Sequence, residues 1–193
     1  MPRQPEPLIL ASGSPRRAEL LREAGYRFEV VVPPWAEPDE FHPHVEAPRH
    51  AESLAYFKAR SIANHNPKAT ILGADTISVL NGDIFGKPVD RQDARRILTR
   101  LAGTTHSVIT AVTLLHPETD QREMRHAVSR ITMRRIPAEE LEGYLDTGHW
   151  MGKAGAYGIQ DHGDRFLEHY EGSFTNIVGL PMELVGEMFA EWT

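Results

Sequence analysis

Along the chain, the apolar positions alternate between runs and helical spacing. Leu8 to Ala11 is a short unbroken apolar run, which predicts a strand covered on both faces. Ser12-Gly13-Ser14 then predicts a turn into a helix, with Ser14 as N-cap, Pro15 at the first helical position and Leu20, Leu21 and Ala24 on the buried face. Gly25 is placed to end that helix in the left-handed conformation, so residues 8–25 read as strand, loop, helix. Phe28 to Val32 predicts a second strand. Pro33 to His50, dense in proline, carboxylate and histidine, predicts no regular element. Glu52 to Asn64 carries Leu54, Ala55, Ala59, Ile62 and Ala63 at helical spacing and stops before Asn66-Pro67. Lys58 lies in register with Leu54 and Ile62, either as a stem covering the core or as a cation aimed into a cleft.

Thr70 to Val89, TILGADTISVLNGDIFGKPV, is the densest stretch. Ile71 and Leu72 followed by Gly73-Ala74 predict a strand entering a crowded place, because small residues let another backbone or a ligand come close. Asp75 follows at the expected strand end. Ile77 to Leu80 continues extended, and Asn81-Gly82 is a two-residue hairpin signal that returns the chain through Asp83 to Phe85 and brings Lys87 back toward Asp75. Asp90 predicts the cap of a helix burying Ala94, Ile97, Leu98 and Leu101 and ending at Gly103. His106 to Leu115 and Gln121 to Met133, rich in Val, Ile and Thr around the turn 117–120, predict an antiparallel pair, whose loosely alternating arginines suit a solvated strand face at least as well as a substrate. Pro137 opens a helix running to Gly148. Gly152 to Gln160 has too many glycines for a regular element, so its backbone is expected to approach something. Gly172 to Pro181 reads as turn-rich, and Pro181 opens a final helix with Leu184, Val185, Met188, Phe189 and Trp192.

Composition narrows the chemistry. A chain of 193 residues suits one domain, possibly two-lobed, and a net charge of −6 without a Lys/Arg run argues against a general nucleic-acid binder. The absence of cysteine removes disulfides, thiolate catalysis and cysteine-ligated zinc together. No long apolar segment predicts a signal peptide or membrane span, which points to a soluble, cytoplasmic protein.

Four places then carry candidate chemistry. An aspartate on an apolar strand is costly to bury alone, so Asp75 is either a turn or cap residue or is partnered by a metal, a base or solvent. Arg16 and Arg17 stand in the first turn of a helix, where the macrodipole disfavours cations. A phosphate chain at the free N–H groups, with both guanidiniums beside it, reverses that sign, and two solvated arginines are the alternative. Gln160 offers an amide donor and acceptor that match the edge of uracil or thymine, or simply a loop hydrogen bond. Glu37, Asp39 and Glu40 could give oxygen ligands to a hard divalent cation. His42 and His44 lack a third ligand at helical spacing, which favours a solvated loop over a zinc site.

Taken together, LASGSPRRAELL, GADT with a downstream GKP, KAGAYGIQ and GSFTNIVGLP resemble the Maf proteins, nucleoside triphosphate pyrophosphatases also described as septum-formation inhibitors. The resemblance implies a single α/β domain over residues 1–193, a mixed twisted sheet with flanking helices, and two lobes around a central cleft like that of the inosine triphosphate pyrophosphatases. It implies cleavage of the α–β phosphoanhydride with a divalent metal, Mg²⁺ or Mn²⁺, to a nucleoside monophosphate and pyrophosphate. Asp75 matches the family's proton acceptor. Arg16, Thr76 and Gln160 match its base-discriminating positions in the dTTP/UTP branch, whereas the 7-methyl-GTP branch differs there. Ser14, Arg17, Lys58 and Lys87 fall on positions suited to substrate phosphates, and Glu40, with Asp75, on positions suited to the metal. A homodimer, acting on a nucleotide rather than on nucleic acid or a membrane, is implied as well. The same residues would also serve a nucleotide-binding regulator of septum formation that does not hydrolyse its ligand, and the glycine loop with GKP leaves a sugar-nucleotide transferase open.

Overall fold

The computed structural model describes residues 2–34, 45–159 and 164–192. Among the described residues it is a mixed α/β structure with seven strands: β1 (Leu8–Ala11), β2 (Glu29–Val30), β3 (Thr70–Leu80), β4 (Asp83–Phe85), β5 (Thr105–His116), β6 (Gln121–Met133) and β7 (Leu167–Glu171). The helices are α1 (Pro15–Glu23), α2 (Ala47–Ala63), α3 (Arg91–Leu101), α4 (Ala138–Asp146), α5 (Phe174–Val178) and α6 (Met182–Glu191). The strands are hydrogen-bonded in the order β2-β1-β3-β5-β6-β7, with β4 on β3. β1 runs parallel to β2 and β3, while β4 and β7 pair antiparallel with β3 and β6.

The chain divides into two compact units, one of Met1–Asp75, Thr110–Ala127 and Gly179–Thr193, the other of Thr76–Ile109 and Val128–Val178. In the first, the α2 face of Ala59, Ile62 and Ala63 packs with Ile9, Ala11, Ile71 and Leu115. Tyr26 meets Phe189 of α6 edge-on at 5.0 Å. In the second, Ile97, Leu98 and Leu101 of α3 pack with Tyr144 and Leu145 of α4 and with Phe166. Apolar burial of this kind, about 25 cal/mol per Å², is the main force holding each unit.

Local rules predict several boundaries well. Pro15 opens α1, and Gly25 follows it at φ +80°. Asp90 accepts from the Asp93 N–H at 2.7 Å and so caps α3. Asn81 and Gly82 take φ values of 53° and 86°, and Leu80 is registered with Asp83, the geometry of a two-residue hairpin. β5 and β6 are neighbours joined by the short turn 117–120, which only an antiparallel pair allows.

Other expectations are corrected. The second strand shrinks to Glu29–Val30, an exposed edge that pairs with β1 among the described residues. α2 begins at Ala47 rather than Glu52, because Pro48 sits in its first turn, where its missing N–H leaves no bond unmade. The turn-rich segment contains α5, whose Asn176 N–H donates to Ser173 Oγ at 3.1 Å. β7, LEHYE, has no apolar alternation to announce it and forms an exposed edge strand. Asp75 does not end its strand: it is the sixth residue of an eleven-residue β3.

Candidate active site

Asp75 is 3% exposed, and its partner comes from α2. Lys58 Nζ donates to Asp75 Oδ1 at 2.5 Å. Gly73 makes this possible. A Cβ at Gly73 would lie 2.3 Å from the Ala55 carbonyl oxygen and 3.0 Å from the Ala59 amide, so only glycine lets α2 approach this closely. Residues two apart share a strand face, so Gly73 draws the helix in and Asp75 meets the lysine one turn further along it. The crowding expected at Gly73-Ala74 is therefore the backbone of α2. To the two readings of Lys58, a stem over the core or a cation aimed into a cleft, the structure adds a partner: it is a buried ammonium held on Asp75.

The β1–α1 turn leaves the sheet beside this site, because Ala11 is registered with Gly73. Ser14 occupies the N-cap position of α1 but makes no side-chain cap bond; its N–H donates to Ser12 Oγ at 3.1 Å. Arg16 is half-buried, in the first turn of α1 as expected. Arg17 behaves differently. It is 9% exposed; its Nε donates to the Gly179 carbonyl at 2.8 Å, and one terminal nitrogen donates to the Ala74 carbonyl at 2.8 Å and to Ser12 Oγ at 3.3 Å. Of the two adjacent cations, one lies in the interior. Ser12 was not among the candidate residues of the sequence, although its place in an SGS turn before a helix was the available signal.

The second unit holds Thr76, half-buried on the strand face opposite to Asp75, as consecutive strand residues must be. β4 returns antiparallel, Phe85 opposite Ser78, so the exposed Lys87 follows as the chain runs back in the direction of Thr76. The Gly155 N–H donates to the Gly86 carbonyl at 3.1 Å, tying the KAGAYG loop to GKP. A Cβ at Gly155 would lie 2.7 Å from Ser78 Oγ, so this glycine loop approaches β3. Gln160 and Glu40 lie outside the described residues, as do Glu37, Asp39, His42 and His44.

Two buried polar groups support this unit. His106 Nε2 shares a 2.8 Å hydrogen bond with the Tyr157 hydroxyl, and burial pushes the imidazole down to about 4 and the phenol well up. Asn176, fully buried, donates to the Val108 carbonyl at 3.0 Å and to Ser129 Oγ at 2.9 Å. That explains the asparagine of GSFTN as a tie between α5 and the strands β5 and β6.

Asp75 offers a hard oxygen donor of the type Mg²⁺ and Mn²⁺ prefer. Among the described residues no group of three or more His, Asp or Glu could hold an ion. Such cations accept one or two carboxylates with water and phosphate oxygens completing the shell, and Asp75 is the described candidate that could contribute one. No helix among the described residues is long and apolar enough to cross a membrane.

Comparison with known proteins agrees with the motif pattern. The chain is 44% identical over 185 residues to the dTTP/UTP pyrophosphatase of Alkaliphilus metalliredigens, covering 95% of this chain and 94% of that one. It is 41% identical over 190 residues to the dTTP/UTP pyrophosphatase of Bdellovibrio bacteriovorus, covering 96% and 98%. With the protein of the same description from Clostridioides difficile the identity is 37% over 186 residues, covering 96% and 94%. The family model described as Maf-like protein matches residues 7–192, across both compact units, and the chain belongs to the Maf family.

Proposed function

We propose that this protein is a nucleoside triphosphate pyrophosphatase that hydrolyses dTTP and UTP to the nucleoside monophosphate and pyrophosphate, with residues 1–193 acting as one catalytic domain. The relatives' shared description supports the substrate. The observation that carries the chemistry is the buried Asp75 carboxylate held by Lys58 at 2.5 Å. A carboxylate fixed in this way has one oxygen engaged and a set orientation, which is what positioning a water demands.

The reaction adds water to one phosphorus of the α–β anhydride and breaks the bridging P–O bond. Asp75 orients the water and accepts its proton, and the bridging oxygen leaves on the phosphorus that is not attacked. A free aspartate is a weak base for water; Asp75 and Glu40 would hold a divalent cation, Mg²⁺ or Mn²⁺, which would acidify that water and neutralise phosphate charge. The start of α1, with Ser14 and Arg16, receives phosphate oxygens. Lys58 and Lys87 add positive charge, while Thr76 and Gln160 with Arg16 discriminate the base; a pyrimidine edge suits an amide. The enzyme works in the cytoplasm as a homodimer on free nucleotides.

Incubation with dTTP, UTP and 7-methyl-GTP in the presence of Mg²⁺ or Mn²⁺, with pyrophosphate and monophosphate assayed, tests this reading. Release from dTTP and UTP, abolished by chelation and restored by the metal, is expected. Preference for 7-methyl-GTP overturns the substrate, and no release from any nucleotide overturns the enzyme.

A further inference from the structure

We infer that Arg17 is a positioning residue that locks the peptide carrying Asp75 to the β1–α1 turn, rather than a ligand of substrate phosphate. The inference rests on the pyrophosphatase reading for its kinetic consequence, but its structural core stands without it. Arg17 is 9% exposed, and its guanidinium donates to at least three protein oxygens, two of them carbonyls far from it in the sequence. One of them, the Ala74 carbonyl at 2.8 Å, belongs to the peptide whose nitrogen is that of Asp75. A second, Ser12 Oγ, also accepts the Ser14 N–H, so it sets the turn that begins α1. The third is the carbonyl of Gly179, a residue at φ +124° at the head of the segment leading into α6.

The planar fork of a guanidinium can hold several acceptors in fixed relative positions, which an ammonium on a flexible stem cannot. Arg17 therefore fixes the start of α1, where phosphate is proposed to bind, relative to the strand that carries Asp75. The register of Ala11 with Gly73 brings these two backbones side by side, and Arg17 bonds across them. A displacement of about 1 Å at such a site costs on the order of 100-fold in rate while leaving the binding groups in place.

The test compares wild type with Arg17→Lys, Arg17→Met and Ser12→Ala in the full chain. It measures kcat and KM for dTTP, the Kd of a non-hydrolysable α,β-methylene dTTP, and amide exchange by NMR at Ser14, Ala74 and Asp75. We expect Arg17→Lys to lower kcat about 30-fold or more, with KM and the analogue Kd within about threefold of wild type. Ser12→Ala, which leaves the cation in place, moves kcat in the same direction by a smaller factor. Exchange at these amides accelerates at least about tenfold, whether or not the protein turns over dTTP. A rise in KM or Kd of about tenfold with kcat retained makes Arg17 a phosphate ligand and overturns the inference. So do unchanged kcat and exchange in Arg17→Lys. If Arg17→Met does not fold, the lysine and serine variants decide. A wild type inactive on every nucleotide refutes the proposed function, and the exchange measurement still tests the lock.

Discussion

Lys58 Nζ and Asp75 Oδ1 meet at 2.5 Å, with the two side chains only 11% and 4% exposed. A charge pair so far from water depends on both members, because removing one leaves the other desolvated and uncompensated. Lys58→Met is therefore expected to lower unfolding free energy by about 3 kcal/mol, read from urea denaturation. Adding Asp75→Asn to it should recover much of that loss. If the single variant is as stable as wild type, the pair is not buried as described.

Gly73 sets the distance between α2 and β3. Gly73→Ala places a methyl group 2.3 Å from the Ala55 carbonyl oxygen, a backbone atom that cannot swing away. Overpacking of this kind costs about 1–3 kcal/mol. Because the helix that must move carries Lys58, the same variant should lose kcat for dTTP beyond what its stability explains. A Gly73→Ala protein with normal stability and turnover contradicts the packing account.

The hydrogen bond of His106 to Tyr157 makes a prediction about pH. Burial lowers the imidazole to about 4, below its unfolded value near 6.5. The neutral ring is favoured in the folded state, so its contribution is fully present above pH 6.5 and is lost as pH falls toward 4. His106→Gln removes this titration. Between pH 7 and 4.5 the wild type should lose about 2–3 kcal/mol more than the variant, measured by urea denaturation at each pH. Parallel stability profiles would show that His106 does not titrate in this window.

The parts of the structure legible in the sequence are those decided within a few residues. Pro15 and Gly25 bound α1, Asp90 caps α3, and Asn81-Gly82 turns the β3–β4 hairpin, because φ preferences and capping bonds are local. Asp75 was legible as a residue needing a partner, and Lys58 as a cation in register with a buried face. Their pairing was not. It depends on α2 closing onto β3 over Gly73, seventeen positions of sequence separating the two charges. Arg16 and Arg17 look alike in the sequence, yet one turns into the interior, because the acceptors that make burial tolerable come from Ser12, Ala74 and Gly179. β7 was invisible for a different reason: an exposed edge strand buries too little to impose an apolar pattern.

The most direct test of the account is turnover by Asp75→Asn, in protein shown to be folded at the assay temperature, alongside binding of a non-hydrolysable dTTP analogue. The account predicts that pyrophosphate release from dTTP and UTP falls by about 10²–10⁴, the contribution of a positioned base, while analogue affinity stays within about threefold of wild type. Near-normal pyrophosphate release by Asp75→Asn would contradict it.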